Sequence, residues 1–76
     1  MNQAHLLLRR AAVQFRLYEH SHRDKVEKLK ARKPISVLEK GEIERLIDDT
    51  ITKADVNKAL AEEIETYLDH VGYSGA

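Results

Sequence analysis

Gln14, Tyr18, His22 and Lys25 follow one another at steps of four, four and three, the spacing that puts side chains on one face of an α-helix. Their chemistry suits an anionic nucleotide. A tyrosine ring stacks on a base, a glutamine amide reads its edge and a lysine holds phosphate. Lys53 and Asn57 would face them from the third of three helices, running the other way, with Arg16 or Arg23 of a neighbouring subunit adding guanidinium bonds to the phosphate. A plainer account competes with this one: Tyr18 and His22 only pack between helices, their polar atoms satisfied by Asn57 or water. His22 interrupts an apolar stripe between Tyr18 and Val26, so it either bonds a partner or lines a polar pocket.

Other chemistries find fewer residues. His20 and His22 lie two apart and therefore on different helix faces, and pairing His20 with Asp24 supplies only two metal ligands, so no metal is expected. With no cysteine there is neither a disulfide framework nor a thiolate zinc site. The three serines fall in a helix, a cap and a tail, without a neighbouring base, and the carboxylates read as solvated helix faces. The expectation is a protein that is not an enzyme, has no catalytic residues and needs no cofactor.

The elements that must position these residues read as helices. From Asn2 to Lys33 there is no Gly or Pro, and Leu8, Ala11, Ala12, Phe15, Tyr18, His22, Val26 and Leu29 recur at steps of three and four. Asn2 is a plausible N-cap, Glu19 to Arg23 and Asp24 to Lys28 are supportive pairs, and Pro34 ends the helix. Ser36 to Glu39 has the form of a capping box, opening a short middle helix weakened by Gly41. Thr52 to Asp55 is a second box, with Ile51 and Val56 placed as a hydrophobic staple. The apolar phase also changes across 48 to 52, from Ile47, Ile51 and Ala54 to Val56, Leu60, Ile64, Tyr67 and Val71, which argues for a break there. Gly72 suits a C-terminal cap, and 72 to 76 read as a flexible tail.

The expected fold is therefore all-α: one domain over 1 to 71, with helices at about 3–33, 37–48 and 53–71 forming an antiparallel hairpin with a short middle helix. A first helix of that length spans about 48 Å, whereas a compact chain of 76 residues has a radius of gyration near 11 Å. Either the helix ends early, near Ser21, or a second subunit covers the overhang. The second option suits a thin core and predicts an oligomeric helical bundle, a dimer or higher, with Leu8, Phe15, Val26 and Leu29 as its seam.

The net charge is zero, but residues 1 to 33 hold nine Lys or Arg against three acids and residues 34 to 76 hold four against ten. Arg9, Arg16, Arg23 and Lys30 repeat every seven residues beside the first seam, and Asp48, Asp55, Glu62 and Asp69 repeat every seven in the other half. Such stripes pair across an antiparallel hairpin or between subunits. The acidity of the segment after Pro34 disfavours the alternative of a helical DNA-binding regulator, because an acidic helix repels the phosphate backbone. No apolar run approaches the roughly 20 residues of a membrane span and no signal-peptide region stands at the N-terminus, so a soluble cytoplasmic protein is expected.

Gln14-Phe15-x-x-Tyr18-Glu19-x-x-His22-x-x-Lys25, with Lys53-Ala54-x-x-Asn57-x-x-x-Ala61-x-x-Ile64 further on, resembles a pattern found in small accessory proteins of tailed bacteriophages. The resemblance covers about a third of the chain. It implies the two arms of a helical hairpin, with Ala31 to Ile51 inserted where that group has a short polar loop, and it implies no particular activity. Its context is a small protein that binds and blocks a component of the bacterial host, including its defences. On that expectation Val37, Leu38, Ile43 and Leu46 of the insert are the candidate surface for a host protein. The alternative is an oligomeric sponge for an anionic, cyclic-nucleotide immune signal held by the residues named first.

Overall fold

The structure, a computed structural model, describes residues 3 to 72. It is a hairpin of two antiparallel helices, α1 (Gln3–Ala31) and α2 (Val37–His70). The proposed N-cap Asn2 and the tail residues 73 to 76 lie outside the described residues.

α1 runs unbroken through Ser21. Lys28 and Lys30 occupy its last turn, where the helix dipole favours cations, and the Arg32 amide tightens the end by donating to the Leu29 carbonyl at 3.2 Å before Pro34 stops it. Ser36 then caps α2, its hydroxyl oxygen accepting from the Glu39 amide at 3.1 Å. Glu39 answers by accepting from the Ile35 amide at 3.5 Å and by facing Arg32 at 3.6 Å, so one carboxylate ties the turn together. At the far end the Val71 and Gly72 amides donate to the carbonyls of Tyr67 and Asp69, and Gly72 takes the left-handed φ of 77° that closes such an end.

The expected break at 48 to 52 is absent, and with it the separate middle helix. Thr52, whose capping box suggested it, bonds back into α2 instead, its hydroxyl donating to the Asp48 carbonyl at 3.0 Å, and the nearby Thr50 hydroxyl likewise donates to the Leu46 carbonyl at 2.7 Å. A hydroxyl so engaged cannot cap a new helix start. The seam against α1 also runs through this region in phase, as Ile43, Ile47, Thr50, Ala54, Asn57, Ala61, Ile64 and Leu68, alternating steps of four and three.

This register corrects the assignment of the core. Ala12, Val26 and Leu29 of α1 and Ile43, Ala54, Ala61 and Leu68 of α2 are buried, and the three alanines have no exposed surface at all. Alanine at the contact lets the two backbones approach closely, so smallness as well as apolarity selects the buried positions. Val56, Leu60 and Tyr67, the more apolar stripe, lie to one side of the seam and are exposed. Among the described residues no large side chain is fully buried.

The hairpin is a rod of 56 × 15 × 14 Å with a radius of gyration of 16.9 Å, because α2 is as long as α1 and covers it along its length. Leu8, Phe15, Val26 and Leu29 are therefore not a free seam between subunits: Val26 and Leu29 are buried, and Leu8 and Phe15 half-buried, within the single chain.

Candidate functional site

The residues read as a nucleotide site are divided between two sides of α1. Glu19 lies in the seam, seven residues from both Ala12 and Val26, which puts Arg16 and Arg23 on one flank and Tyr18 and Lys25 on the other. Both guanidiniums are held by carboxylates. Arg16 donates across the hairpin to Glu65, Nη2 to Oε1 at 2.7 Å and Nε to Oε2 at 3.3 Å, and along its own helix to Glu19 at 3.2 Å. Arg23 donates to Glu19 at 2.9 Å and to Asp55 at 3.2 Å.

The ionisation of these groups follows from those bonds. Glu65 is held below its ordinary carboxyl value of 4.5 chiefly by the bond from Arg16, against the opposing effect of partial burial. Glu19 is lowered chiefly by the bond from Arg23, with that from Arg16 adding to it. Arg16 is raised above its ordinary value, first by Glu65 and then by Glu19, and Arg23 is raised first by Glu19 and then by Asp55. The cluster is a self-satisfied electrostatic ladder.

The remaining members from α1, Gln14, Tyr18, His22 and Lys25, follow one another along the other flank of the unbroken helix. Gln14, Lys25 and Lys53 are exposed, Tyr18 is half-exposed, His22 is half-buried in the seam, and the Asn57 amide donates to the Lys53 carbonyl of its own helix at 2.7 Å. His20 Nε2 stands 3.8 Å from Asp24, the expected pair, on the surface. No group of three metal-ligating side chains occurs among the described residues.

Of the two charge stripes, one cross-helix pair forms as drawn, Arg23 with Asp55. Arg16 reaches Glu65 rather than Glu62, because Glu65 flanks the seam of α2 whereas the stripe of Asp48, Asp55, Glu62 and Asp69 lies one position farther out; Glu62 faces Lys58 on its own helix. Glu65 was not singled out by the sequence. Its signal is positional, eleven residues after Ala54 and four after Ala61, and becomes readable only once the alanines are recognised as the seam.

The insert supplies the second candidate. Ile35, Val37 and Leu38 are 91%, 89% and 78% exposed at the tip of the rod, and Leu46 is partly exposed. Ile43, assigned to the same surface, is instead buried at 7%, because it begins the α2 seam opposite Leu29. Val37, Leu38, Gly41, Glu42 and Arg45 line a shallow concavity on the outer side of α2, and Gly41, with nothing within 4 Å of where a Cβ would stand, leaves its floor open. Three large apolar side chains nearly fully in water within four residues lie outside what helix packing explains.

No family model, curated protein or solved structure matches the chain. No helix among the described residues is long and apolar enough to cross a membrane.

Proposed function

We propose that this chain is a non-enzymatic accessory binding protein that blocks or sequesters a protein of a bacterial host, docking through the apolar tip of its hairpin. The observation that carries the reading is the exposure of Ile35, Val37 and Leu38. A rigid rod that ends in such a cluster can seat it in an apolar groove of a partner, with the tip already ordered by Ser36 and Glu39 and little entropy left to lose. The two motifs that resemble phage accessory proteins supply the setting, the cytoplasm of an infected cell and, among host targets, its defences.

The nucleotide sponge has less support, since Arg16 and Arg23 would have to exchange carboxylates that already hold them for a phosphate. A DNA-binding role has less still, because α2 is acidic along its length and two of the three arginines of the first stripe, Arg16 and Arg23, are held by carboxylates.

The test is capture of a host protein by the immobilised chain, compared with Ile35→Asp and Leu38→Asp. Deleting the insert would sever α2, so point changes are required. Both side chains are exposed, so both variants keep the melting behaviour of the parent. A partner that binds the parent and is lost from both variants supports the tip; a partner retained equally by all three chains sinks it.

A further inference from the structure

The most apolar stripe of α2 lies beside its seam with α1 and not in it. Val56, Leu60 and Tyr67 recur at steps of four and seven on one side of the helix, and Tyr67 shares a surface concavity with Leu8, Glu63 and Ile64. That concavity fixes which side of the hairpin they occupy, and the edge-on contact of the His5 and Tyr67 rings, 5.9 Å between centroids, agrees with it. On α1 the same side carries Leu7 and, three turns on, Tyr18, with half-buried Phe15 between them. The ladder of Arg16, Arg23, Glu65 and Asp55 occupies the opposite flank. The rod thus has one charged side and one apolar side, the latter confined to the half distant from the turn.

We propose that this side is covered by a second copy of the chain, two hairpins packing apolar side to apolar side into a four-helix bundle. The area is of the right size. The chain exposes 5870 Å², whereas a folded monomer of 8.7 kDa exposes about 4,700 Å². The excess of about 1,200 Å², spread over the whole rod, is of the order of the roughly 800 Å² that each partner buries in a standard interface. The charge also fits an identical partner. Ala4, Leu7, Ala11, Gln14 and Tyr18 bring no charge to that side of α1, and Glu63 interrupts it on α2, so two copies meet without a block of like charge. Tyrosine at both ends of the patch matches what interface cores favour. The core gains most: alanines form the centre of the hairpin and no large side chain among the described residues is fully buried, so Phe15, Leu8 and Ile64 complete their burial only when a second layer closes over them.

This inference does not rest on the tip reading, which concerns the other end of the rod. Sedimentation equilibrium of the full chain from micromolar to millimolar concentration is expected to show a monomer–dimer equilibrium that reaches twice 8.7 kDa, about 17 kDa, at the upper end. Leu60→Glu and Leu7→Glu are expected to weaken the dimer at least about a hundredfold, and Leu17→Glu, an exposed leucine on the outer side of α1, to leave it unchanged. Because a charged variant can lose its fold along with its partner, a conservative pair is read in parallel. The chain has no cysteine, so Leu60→Cys and Leu17→Cys, kept reduced, report burial by alkylation rate. Protection of position 60 that rises with protein concentration, without protection of position 17, supports the dimer. A monomer across the whole range, a Leu17→Glu effect equal to that of Leu60→Glu, or equal alkylation of both cysteines overturns it.

Discussion

Arg16 grips Glu65 across the hairpin with two nearly parallel bonds, at 2.7 and 3.3 Å, while its remaining nitrogen reaches back to Glu19 in the seam. The pair joins residues 49 apart in sequence and fixes the axial register of two helices whose alanine contact is otherwise able to slide. Its worth is specificity more than stability, since both side chains are about a third exposed and screened by solvent.

Stability should follow the titration of these carboxylates. Glu65 and Glu19 both have folded values below the ordinary 4.5, so they bind protons more readily when unfolded. Their contribution is complete above that value and is lost as pH falls through the lowered folded values. The urea midpoint, measured from pH 7 to pH 2, should hold level from this source down to about 5 and then decline. Glu65→Gln should lower the midpoint at pH 7 and shallow the acid decline; an unchanged acid profile would remove the ladder from the account.

Ala61 has no exposed surface, and a larger side chain there must push the helices apart. Ala61→Leu should cost about 1 to 3 kcal/mol by overpacking, read from the urea midpoint. The same change at Ala59, exposed on α2, should be nearly neutral. A hydropathy reading of α2 ranks the pair otherwise, because leucine only increases the apolarity of either site.

At the start of α2, Gly41 holds an ordinary helical conformation with open space where a Cβ would stand. Gly41→Ala should therefore stabilise the hairpin by about 0.5 to 1 kcal/mol. Ser36→Ala, which removes the cap, should destabilise it by about 0.5 to 2 kcal/mol. Chemical denaturation of both variants checks the two signs at once. Because Gly41 also floors the concavity beside Val37 and Leu38, a loss of partner capture by a more stable Gly41→Ala chain would separate binding from folding.

The parts of the fold legible in the sequence were those written in local spacing. Glu19 with Arg23, the Ser36 box, Pro34 after α1 and Gly72 after α2 each depend on residues within a turn of one another. The seam of α2 was misread because hydropathy favours Val56, Leu60 and Tyr67, while close approach of two backbones favours Ala54 and Ala61. That exchange also displaced Ile43 from the candidate surface and hid Glu65, whose role depends on the register the alanines set. The nucleotide constellation assumed that Arg16 and Arg23 were available, and nothing local to α1 reveals that Glu65 and Asp55 take them. Leu8, Phe15, Val26 and Leu29 were correctly read as one stripe; that α2 buries Val26 and Leu29 and half-covers Leu8 and Phe15 follows from α2 being continuous.

That continuity gives the sharpest discriminating substitution, Lys53→Pro. In a chain with a break before Thr52, Thr52 is an N-cap and position 53 is the first residue of a new helix, where proline is favoured because its missing N–H has no helical partner. In the structure position 53 lies in the middle of α2, with the Thr52 hydroxyl donating backward to the Asp48 carbonyl instead of forward to an amide. Proline there removes a helical hydrogen bond and drives its ring into the preceding turn, at a cost of about 3 kcal/mol or more. Lys53 is exposed, so the loss of its side chain contributes little, and Lys53→Ala serves as the control. Circular dichroism and urea denaturation should show Lys53→Pro losing helicity and stability together while Lys53→Ala matches the parent. A Lys53→Pro chain as helical and as stable as the parent would restore the break, and with it a hairpin whose second arm begins at Lys53.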